Sequence, residues 1–335
     1  IMKLCNQKLS QLMSISKIRN LANIAKKKSS NKLMTSSAQS FLFYGTSGAK
    51  STLSSAQLTD EPILVISPAG GSSHLENEFP NCVYYAVDSL TELEAIIKDL
   101  EENMNIIRKV MALDDTERKI YKDKVFVKKY DIKTQQKEFD SDWNDILNYA
   151  NDGAFPFSSV VLEEIDIISS WITDEVEKKF SLEVIGQDKS NLASDWAELR
   201  RVLTIFYARL LKLPVRTIFA TSDKLPKEQQ NLTQITPNIC SGAASRILIS
   251  MIGNVFYVYK DLDKYYVRMQ PNQSYLIRSK LAPVRGGVDI PEILDITNNP
   301  ELFWELVKKC EELREVQKPK KELNKKTDEK TVVKK

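Results

Sequence analysis

Residues 41–55 read FLFYGTSGAKSTLSS. The first four residues are apolar, which is typical of a short buried strand, and the residues from Ser51 onward are typical of the start of a helix. Gly45 and Gly48 lie in the turn between them. In such a turn the backbone N–H groups point inward, and the N-terminus of the helix adds a partial positive charge. This stretch therefore has the setting of a phosphate-binding loop.

The spacing in this turn departs from the Walker A pattern G-x-x-x-x-G-K-[ST]. Lys50 lies five positions after Gly45, one position fewer than in that pattern. In one alignment with the pattern, this loop lacks one residue. Lys50 then binds phosphate, and Ser51 supplies the hydroxyl that binds Mg²⁺. If there is no gap, Thr52 supplies that hydroxyl, and Lys50 and Ser51 replace the last glycine and the lysine. A simple strand-to-helix turn is the alternative to both alignments.

Residues 160–164, Val-Val-Leu-Glu-Glu, have the form of a Walker B strand. The apolar residues bury the strand, Glu163 at its tip can hold Mg²⁺ and its water shell, and Glu164 can orient an attacking water. A Walker B strand normally ends in aspartate. The extra methylene of Glu163 moves the carboxylate by about 1.5 Å, which matters for a metal that demands near-octahedral geometry. Acids after a strand are also common as N-terminal residues of helices.

Apolar strands and helical segments alternate between residues 40 and 220, which predicts a mainly parallel sheet covered on both faces. The runs 255–259 and 265–269 predict a hairpin, and one more strand is expected near 275–278. Ligands bind at the carboxyl ends of the strands in such sheets. The segments expected at this edge are Gly45–Thr52, Ser67–Gly71, Glu163–Asp166 and Thr221–Asp223.

Two further pairs of residues are candidates for contacts with phosphate. Thr221 and Ser222 end a later strand and are predicted to sense the γ-phosphate, with a turn and helix cap as the alternative. Arg278 and Lys280 are candidates for a basic finger that reaches the phosphates of a neighbouring copy. A solvated strand edge is the alternative for this second pair.

The composition excludes several classes of protein. With 335 residues, 42% of them apolar, the chain can bury a sizeable core, and no apolar run is long enough to cross a bilayer. The single histidine, His74, removes two-histidine metal sites and makes a Ser-His or Cys-His nucleophile improbable. Four scattered cysteines suit reduced thiols in the cytoplasm. Trp171 and Trp196 are interpreted as core anchors.

The net charge of +3 is unevenly distributed along the chain. Residues 1–36 carry +8 and residues 318–335 carry +5, which leaves −10 on residues 37–317. The N-terminal arm lacks the apolar core of a secretory signal, although its acid-free, serine-rich start could imitate an organellar transit peptide. Basic arms of this kind bind nucleic acid or acidic partners, and solvated disordered ends are the alternative.

The predicted divisions are a basic arm at 1–37, a main domain at 38–300 with a charged insertion at about 108–150, and a C-terminal helix with a basic disordered tail at 301–335.

The order of these parts resembles the RecA-like P-loop NTPase core. Residues 40 to about 290 look like the phage-type nucleotide-binding proteins of the AAA family that includes single-strand annealing-associated RecA-like ATPases. The segments that carry the resemblance are Phe43–Gly45, Ile63–Gly71, Ser89–Leu93, Trp196, Pro214–Ser222, Pro237 and Gly242.

The resemblance implies an α/β fold, a mainly parallel sheet flanked by helices with a C-terminal antiparallel extension. It further implies binding of ATP and Mg²⁺ and a role in DNA recombination or repair in the cytoplasm, of the host if the protein is viral. Glu164 and Lys50 would be catalytic, and Thr52 and Glu163 would hold the metal. The expected nucleotide-binding residues are Gly45, Thr46, Ser47, Gly48, Ala49, Lys50, Ser51 and Thr52.

Three departures from the family pattern put hydrolysis in doubt. The family has an acid near the end of its second strand, where this chain has Ala69. It has an aspartate at the end of the Walker B strand, where this chain has Glu163. The third departure is the altered lysine loop, Gly45–Thr52. Losing one phosphate-binding group in such a site costs roughly a thousandfold in rate. The alternative function is a catalytically inactive structural or assembly protein, associated with a virion, that binds partners through its basic arms. Its partners would be further copies of itself or viral proteins.

Overall fold

The computed structural model describes residues 39–45, 48–68, 73–180, 192–224, 234–239, 242–281 and 288–317. Both predicted basic ends, 1–37 and 318–335, lie outside these residues. The strands are β1 (Ser40–Gly45), β2 (Ile63–Pro68), β3 (Cys82–Val87), β4 (Ser159–Leu162), β5 (Arg216–Thr221), β6 (Asp223–Lys224), β7 (Thr236–Pro237), β8 (Asn254–Asp261), β9 (Lys264–Arg268) and β10 (Ile293–Asp295). The helices are α1 (Ala49–Ser55), α2 (Leu90–Met111), α3 (Asp115–Lys124), α4 (Ile132–Asp152), α5 (Ile165–Phe180), α6 (Leu192–Leu211), α7 (Gly242–Met251) and α8 (Glu301–Gln317).

Eight of these strands form one sheet in the order β10-β9-β8-β1-β5-β4-β2-β3. β1 pairs in parallel with β5 on one side and with β8 on the other. β9 is antiparallel to both β8 and β10, so the predicted hairpin is confirmed. The fold class is confirmed as α/β: a mainly parallel sheet flanked by helices, with antiparallel strands at its C-terminal end, in which β5 lies between the loop strand β1 and the carboxylate strand β4.

β1 is buried on both faces, because alternate side chains enter two different cores. Leu42 and Tyr44 lie in the first core, with the buried faces of α2, α4, α5 and α6. Phe41 and Phe43 lie in the second core, with α1 and α8. Parallel strands covered on both faces read as continuous apolar runs, which is why these strands were recognisable in the sequence.

The C-terminal helix α8 holds α1 against the sheet. Trp304 is 2% exposed, and its Nε1 donates a hydrogen bond to Leu53 O at 2.7 Å. Arg216, at the start of β5, forms an ion pair with Glu311 at 3.1 Å. The Arg216 guanidinium also lies 5.0 Å from the Trp304 ring centroid, in a cation–π contact. α8 therefore connects the central strands to the helix that follows the candidate loop.

The charged region at about 108–150 is helical in the structure. It contains the end of α2, then α3 and α4. The run 125–130 contains a 3-10 turn, Phe126–Lys129, and Phe126 packs against Phe139 and Trp143. Its description as an insertion stays a prediction.

Two expectations about individual segments are wrong. Residues 275–278 do not form a strand: Tyr275 and Arg278 make single bridges to Ile235 and Val255, and the last strand is β10 instead. Beyond Val255, β9 already pairs with this edge of β8, so a second ladder has no room there.

Trp196 is 38% exposed and does not anchor the core, whereas Trp171 is half-buried and packs against the first core. The buried side of α6 contains Asp195, 2% exposed, and Leu199 one turn later, and Trp196 lies beside that side of the helix. Among the described residues, no helix combines the length and apolar character needed to span a membrane.

Replacing Trp304 with alanine should lower the free energy of unfolding by about 3–5 kcal/mol, because it opens a cavity in the second core and leaves Leu53 O without its donor. Urea denaturation of the full chain measures this loss. The control is Leu302→Ala on the same helix, where the side chain is 38% exposed and the expected loss is below about 1 kcal/mol. Equal losses in the two variants would contradict the role given to Trp304.

Candidate functional site

The loop after β1 requires glycine for a steric reason. Gly45 has φ of 136°, and a Cβ added there would overlap Val258 O in the neighbouring strand β8. Gly48 precedes α1 with φ of 89°, and a Cβ there would meet no atom of the described residues within 4 Å. Gly45 therefore serves the packing of the sheet, whereas Gly48 lies beside open space. Thr46 and Ser47 lie outside the described residues.

Lys50 points back toward the loop. Its side chain is 9% exposed, and Nζ donates a hydrogen bond to Gly45 O at 2.8 Å. Burial lowers the pKa of Lys50, and the charges of four carboxylates oppose this effect. These carboxylates belong to Asp166, Asp223, Glu163 and Glu164. The lysine thus lies between the end of β1 and the acids that follow β4 and β5.

Glu163 follows β4 and is almost fully buried, at 2% exposed. Burial raises the pKa of its carboxyl to about 7, and the charge of Glu164 acts in the same direction. Hydrogen bonds from the hydroxyls of Ser51 and Ser67 and the charge of Lys50 oppose the increase. The position of Glu163 is fixed in part by its backbone N–H, which donates to Ile66 O at 3.0 Å.

Of the two loop hydroxyls that the alignments offer for the metal, Ser51 is the one that lies against Glu163. Thr52, the residue expected to hold the metal, instead donates from Oγ1 to Gly48 O at the start of α1, at 3.4 Å. The placement of Lys50 and Ser51 corresponds to the alignment with one residue deleted. In that alignment the residue directly after the lysine supplies the hydroxyl, so the structure brings Lys50, Ser51 and Glu163 together and leaves Thr52 aside.

Glu164 has an unusual backbone conformation, with φ of 49°. For a residue with a Cβ, this left-handed conformation costs roughly 1–2 kcal/mol, and such residues cluster at functional sites. Burial raises the pKa of Glu164, the charge of Asp166 adds to the increase, and Lys50 opposes it. Glu163 and Glu164 therefore both follow the end of β4, with the left-handed turn at the second of them.

Thr221 and Ser222 differ in their contacts. Ser222 Oγ donates to Asp166 Oδ2 at 2.6 Å and accepts from Asn238 Nδ2 at 3.1 Å. Thr221 Oγ1 donates to Asn238 O at 2.8 Å and is 1% exposed. Ser222 therefore contacts an acid of the site, whereas the hydroxyl of Thr221 is directed to the segment after β7. The sequence contained no signal for Asn238, which enters the site only through the pairing of β6 with β7.

The two candidate finger residues lie elsewhere. Arg278 Nη1 donates to Ile249 O at 3.2 Å and to Ser250 O at 3.0 Å, near the C-terminus of α7. A cation is favourable there because it complements the helix dipole. Lys280 is exposed, and its backbone N–H donates to Asn254 Oδ1 at 2.8 Å. Contact between these residues and a neighbouring copy stays a prediction.

A cleft of about 250 Å³ opens beside α1 on the side of the second core. Gly48, Ala49 and Thr52 form one wall of it. The other walls combine apolar and aromatic surface with polar groups, from His74, Leu75, Glu78, Tyr265, Ile296, Thr297 and Pro300. The start of α1 therefore faces the acids through Lys50 and Ser51, and the cleft through its other side.

No protein-family model matches this chain, and no curated protein matches it. Among solved structures, the chain is similar to the crystal structure of a KaiC-like protein from the hyperthermophilic archaeon Pyrococcus horikoshii OT3. The two share 14% sequence identity over 79% of this chain and 87% of that chain, with a TM-score of 0.31.

The buried carboxyl of Glu163 should make stability depend on pH. Its pKa is about 7 in the folded protein against an ordinary value of 4.5, so the folded state binds more protons between these values. Stability should therefore fall as pH rises from about 4.5 to 7, by up to about 3 kcal/mol relative to Glu163→Gln. Urea denaturation across this range measures the difference. Glu164→Gln, at a less buried position, should remove a smaller part of the slope, and parallel curves for the wild type and Glu163→Gln would contradict the assignment.

Proposed function

We propose that this protein binds ATP with Mg²⁺ at the loop after β1 and acts in DNA recombination or repair, as a RecA-like protein of phage type. The observation that carries the proposal is the buried Lys50, whose Nζ lies 2.8 Å from Gly45 O among carboxylates. Ser51 follows it and contacts Glu163. A lysine, a hydroxyl and a strand-end carboxylate together are the groups that a Mg²⁺–nucleotide complex requires.

The charge of the site favours binding of a divalent cation. One lysine lies among four carboxylates, so the ionised groups leave a negative excess. A nucleoside triphosphate without a metal would be repelled by these carboxylates. A bound cation removes this repulsion and also stabilises the ionised form of Glu163.

The available donors fit Mg²⁺, which prefers oxygen ligands. Ser51 and Glu163 would hold it, and Lys50 would contact the phosphates. Among the residues that the structure describes, no group of three His, Cys, Asp or Glu side chains could hold a metal ion alone. Phosphate oxygens and water would therefore complete the coordination, as is usual for Mg²⁺ at nucleotide sites. When bound, Mg²⁺ would neutralise charge that develops on the phosphates.

The cleft beside α1 would receive the nucleoside. It is continuous with Gly48 and Thr52, at the start of the helix that carries Lys50. Tyr265 and Pro300 offer surface for a planar base, and Glu78 offers a hydrogen-bond acceptor for an amino group. This arrangement agrees with a ligand that has phosphates at one end and a base at the other.

Glu164 would orient the attacking water. Burial raises its pKa, which makes it a stronger proton acceptor than an ordinary carboxylate, and it follows Glu163 with a left-handed φ of 49°. Ala49 replaces a glycine of the usual loop and is 4% exposed. The loop is also one residue shorter than the Walker A pattern. We therefore propose that binding is retained and that hydrolysis is slow.

The second candidate function is a catalytically inactive assembly protein, associated with a virion, that keeps the fold and binds partners through its basic arms. The observation that favours it is the shortened loop with Ala49 before the lysine. Nucleotide binding distinguishes the two functions, because an assembly protein of this kind would gain no stability from Mg²⁺–ATP.

Millimolar Mg²⁺–ATP should raise the melting temperature of the full chain by about 5 °C, since a ligand at a hundred times its dissociation constant stabilises the folded state by about 2.7 kcal/mol. Lys50→Met should abolish this increase, because it removes the group that contacts the phosphates. Lys98→Met, at an exposed position on α2, is the matched control and should keep it. No increase in the wild type would refute nucleotide binding and favour the assembly protein.

Binding of single-stranded DNA should weaken steeply with salt, because the basic arms would neutralise phosphates and release counterions. Replacing Lys26, Lys27 and Lys28 together with alanine should reduce the slope of log affinity against log salt by about 0.7 for each phosphate that the variant no longer neutralises. Fluorescence anisotropy between about 50 and 200 mM salt measures the slope. Replacing the same lysines with arginine keeps the charge and should preserve it. A slope that the alanine variant leaves unchanged would exclude this role for the N-terminal arm.

A further inference from the structure

A row of stacked aromatic rings crosses one face of the sheet at its antiparallel end. The rings of Tyr275, Tyr257, Tyr259 and Tyr266 follow one another, and we call them the tyrosine row. Successive centroids lie 4.5, 5.5 and 5.4 Å apart, with interplanar angles of 29°, 15° and 27°. The rings are therefore nearly parallel plates, close to the offset-stacked geometry that aromatic pairs prefer.

The two ends of the tyrosine row differ. At one end the Arg268 guanidinium lies 5.1 Å from the Tyr275 centroid, and Arg268 also forms an ion pair with Glu292 at 2.6 Å. At the other end, Tyr266 on β9 is the last ring of the row among the described residues. Its outer face lies toward β10, where the exposed Asp295 is its register partner, so a further planar group would stack on Tyr266 beside that carboxylate.

Solvent reaches this face of the sheet. Tyr259, Tyr266 and Tyr275 are half-buried, and Ile293, which lies opposite Arg268 on β10, is 39% exposed. The second core lies on the opposite face of the same strands, where Val267 is fully buried. One face of β9 is thus covered by the protein, and the face with the tyrosine row presents aromatic surface to the solvent.

We propose that the tyrosine row binds the bases of single-stranded nucleic acid by stacking. This inference rests on the proposed function in DNA metabolism and assigns the base contacts to a surface separate from the basic arms. Each base has a planar face, so stacking on the outer face of Tyr266 tolerates any sequence. The partner is a strand with unpaired bases, because the bases of a duplex already stack on one another.

The charges near the row favour a polyanion. Residues 254–281, which contain the tyrosine row, carry a net charge of +3, whereas the rest of residues 37–317 carries −13. The two carboxylates of the β10 segment are paired, Glu292 with Arg268 at 2.6 Å and Asp295 with Lys264 at 3.9 Å. With these two acids counted, the balance around the row is +1 against −11 on the rest of residues 37–317, so this part of the acidic body repels phosphates less than the remainder does.

The tyrosine row is connected to the candidate nucleotide site. Tyr257 OH donates to Asp223 Oδ2 at 3.3 Å, and the charge of Asp223 acts on the pKa of Lys50. Tyr257 also packs against Tyr44 of β1, with centroids 5.1 Å apart. A base bound on Tyr266 would therefore be linked to the acids that surround Lys50 through Tyr259 and Tyr257.

The test measures fluorescence anisotropy of the full chain with a labelled thymidine oligomer and with an abasic oligomer of equal length, which has the same phosphates and no bases. Tyr266→Leu should weaken binding of the thymidine oligomer about 5- to 100-fold, since it removes the stacking surface. Tyr259→Leu should weaken it less, since it removes only the ring that supports Tyr266 from behind. Binding of the abasic oligomer should change by less than about twofold. Tyr266→Phe keeps the ring and is the matched control, with no more than about a twofold change on either oligomer.

Several results would overturn the proposal. One is equal affinity of the wild-type protein for the two oligomers. This comparison uses only the wild type, so it does not depend on whether the variants fold. Others are no loss in the leucine variants, or equal losses on both oligomers. A change in the sedimentation of the leucine variants without DNA would instead make this face an interface between copies. The Mg²⁺–ATP melting shift, measured on the same proteins, keeps the two hypotheses separate, because nucleotide binding can fail while base stacking persists.

Discussion

One buried ammonium group constrains the whole candidate site. Lys50 is 9% exposed, and a buried charge is costly unless acceptors and opposite charges surround it. Gly45 O accepts its hydrogen bond at 2.8 Å, and the carboxylates that oppose the effect of burial follow β4 and β5. These groups meet because β5 lies between β1 and β4, so all three strands end at one edge of the sheet. The lysine therefore depends on the strand order, and the acids around it would otherwise repel one another.

The helix that carries Lys50 cannot hold its own position. α1 has seven residues, and an isolated helix of that length is not stable in water. Its place is set by burial of Ala49 and Leu53 in the second core and by the hydrogen bond from Trp304, 251 residues further along the chain. The C-terminal helix α8 thus supports the loop, and the same sheet exposes the tyrosine row on its other face. Nucleotide and nucleic acid would bind on the two sides of one strand system, joined through Tyr257 and Asp223.

Most of the sheet could be predicted from the sequence because its central strands are short apolar runs that end in glycine, proline or acids. Ile63–Pro68 is buried at every position, and a short continuous apolar run bounded by turn residues is typical of such a strand. Prediction failed where a side chain's environment depends on distant segments. Helical spacing was right for α6, yet it does not reveal that Trp196 lies beside the face that buries Asp195 and Leu199. Tyr275 and Arg278 lie in a strand-like sequence, but they meet two different partners and form no ladder.

The sequence by itself determined the fold class, the position of the loop between β1 and α1, and the pair of acids after β4. Local composition and the alternation of apolar residues contain that information. Only the tertiary structure decided that Ser51 and not Thr52 faces Glu163, that Asn238 reaches Ser222, and that tyrosines from three segments stack in one row. Successive residues of a helix point about 100° apart, so the choice between two adjacent hydroxyls depends on how α1 is rotated against the sheet. That rotation is set by contacts with α8, which the sequence around the loop does not contain.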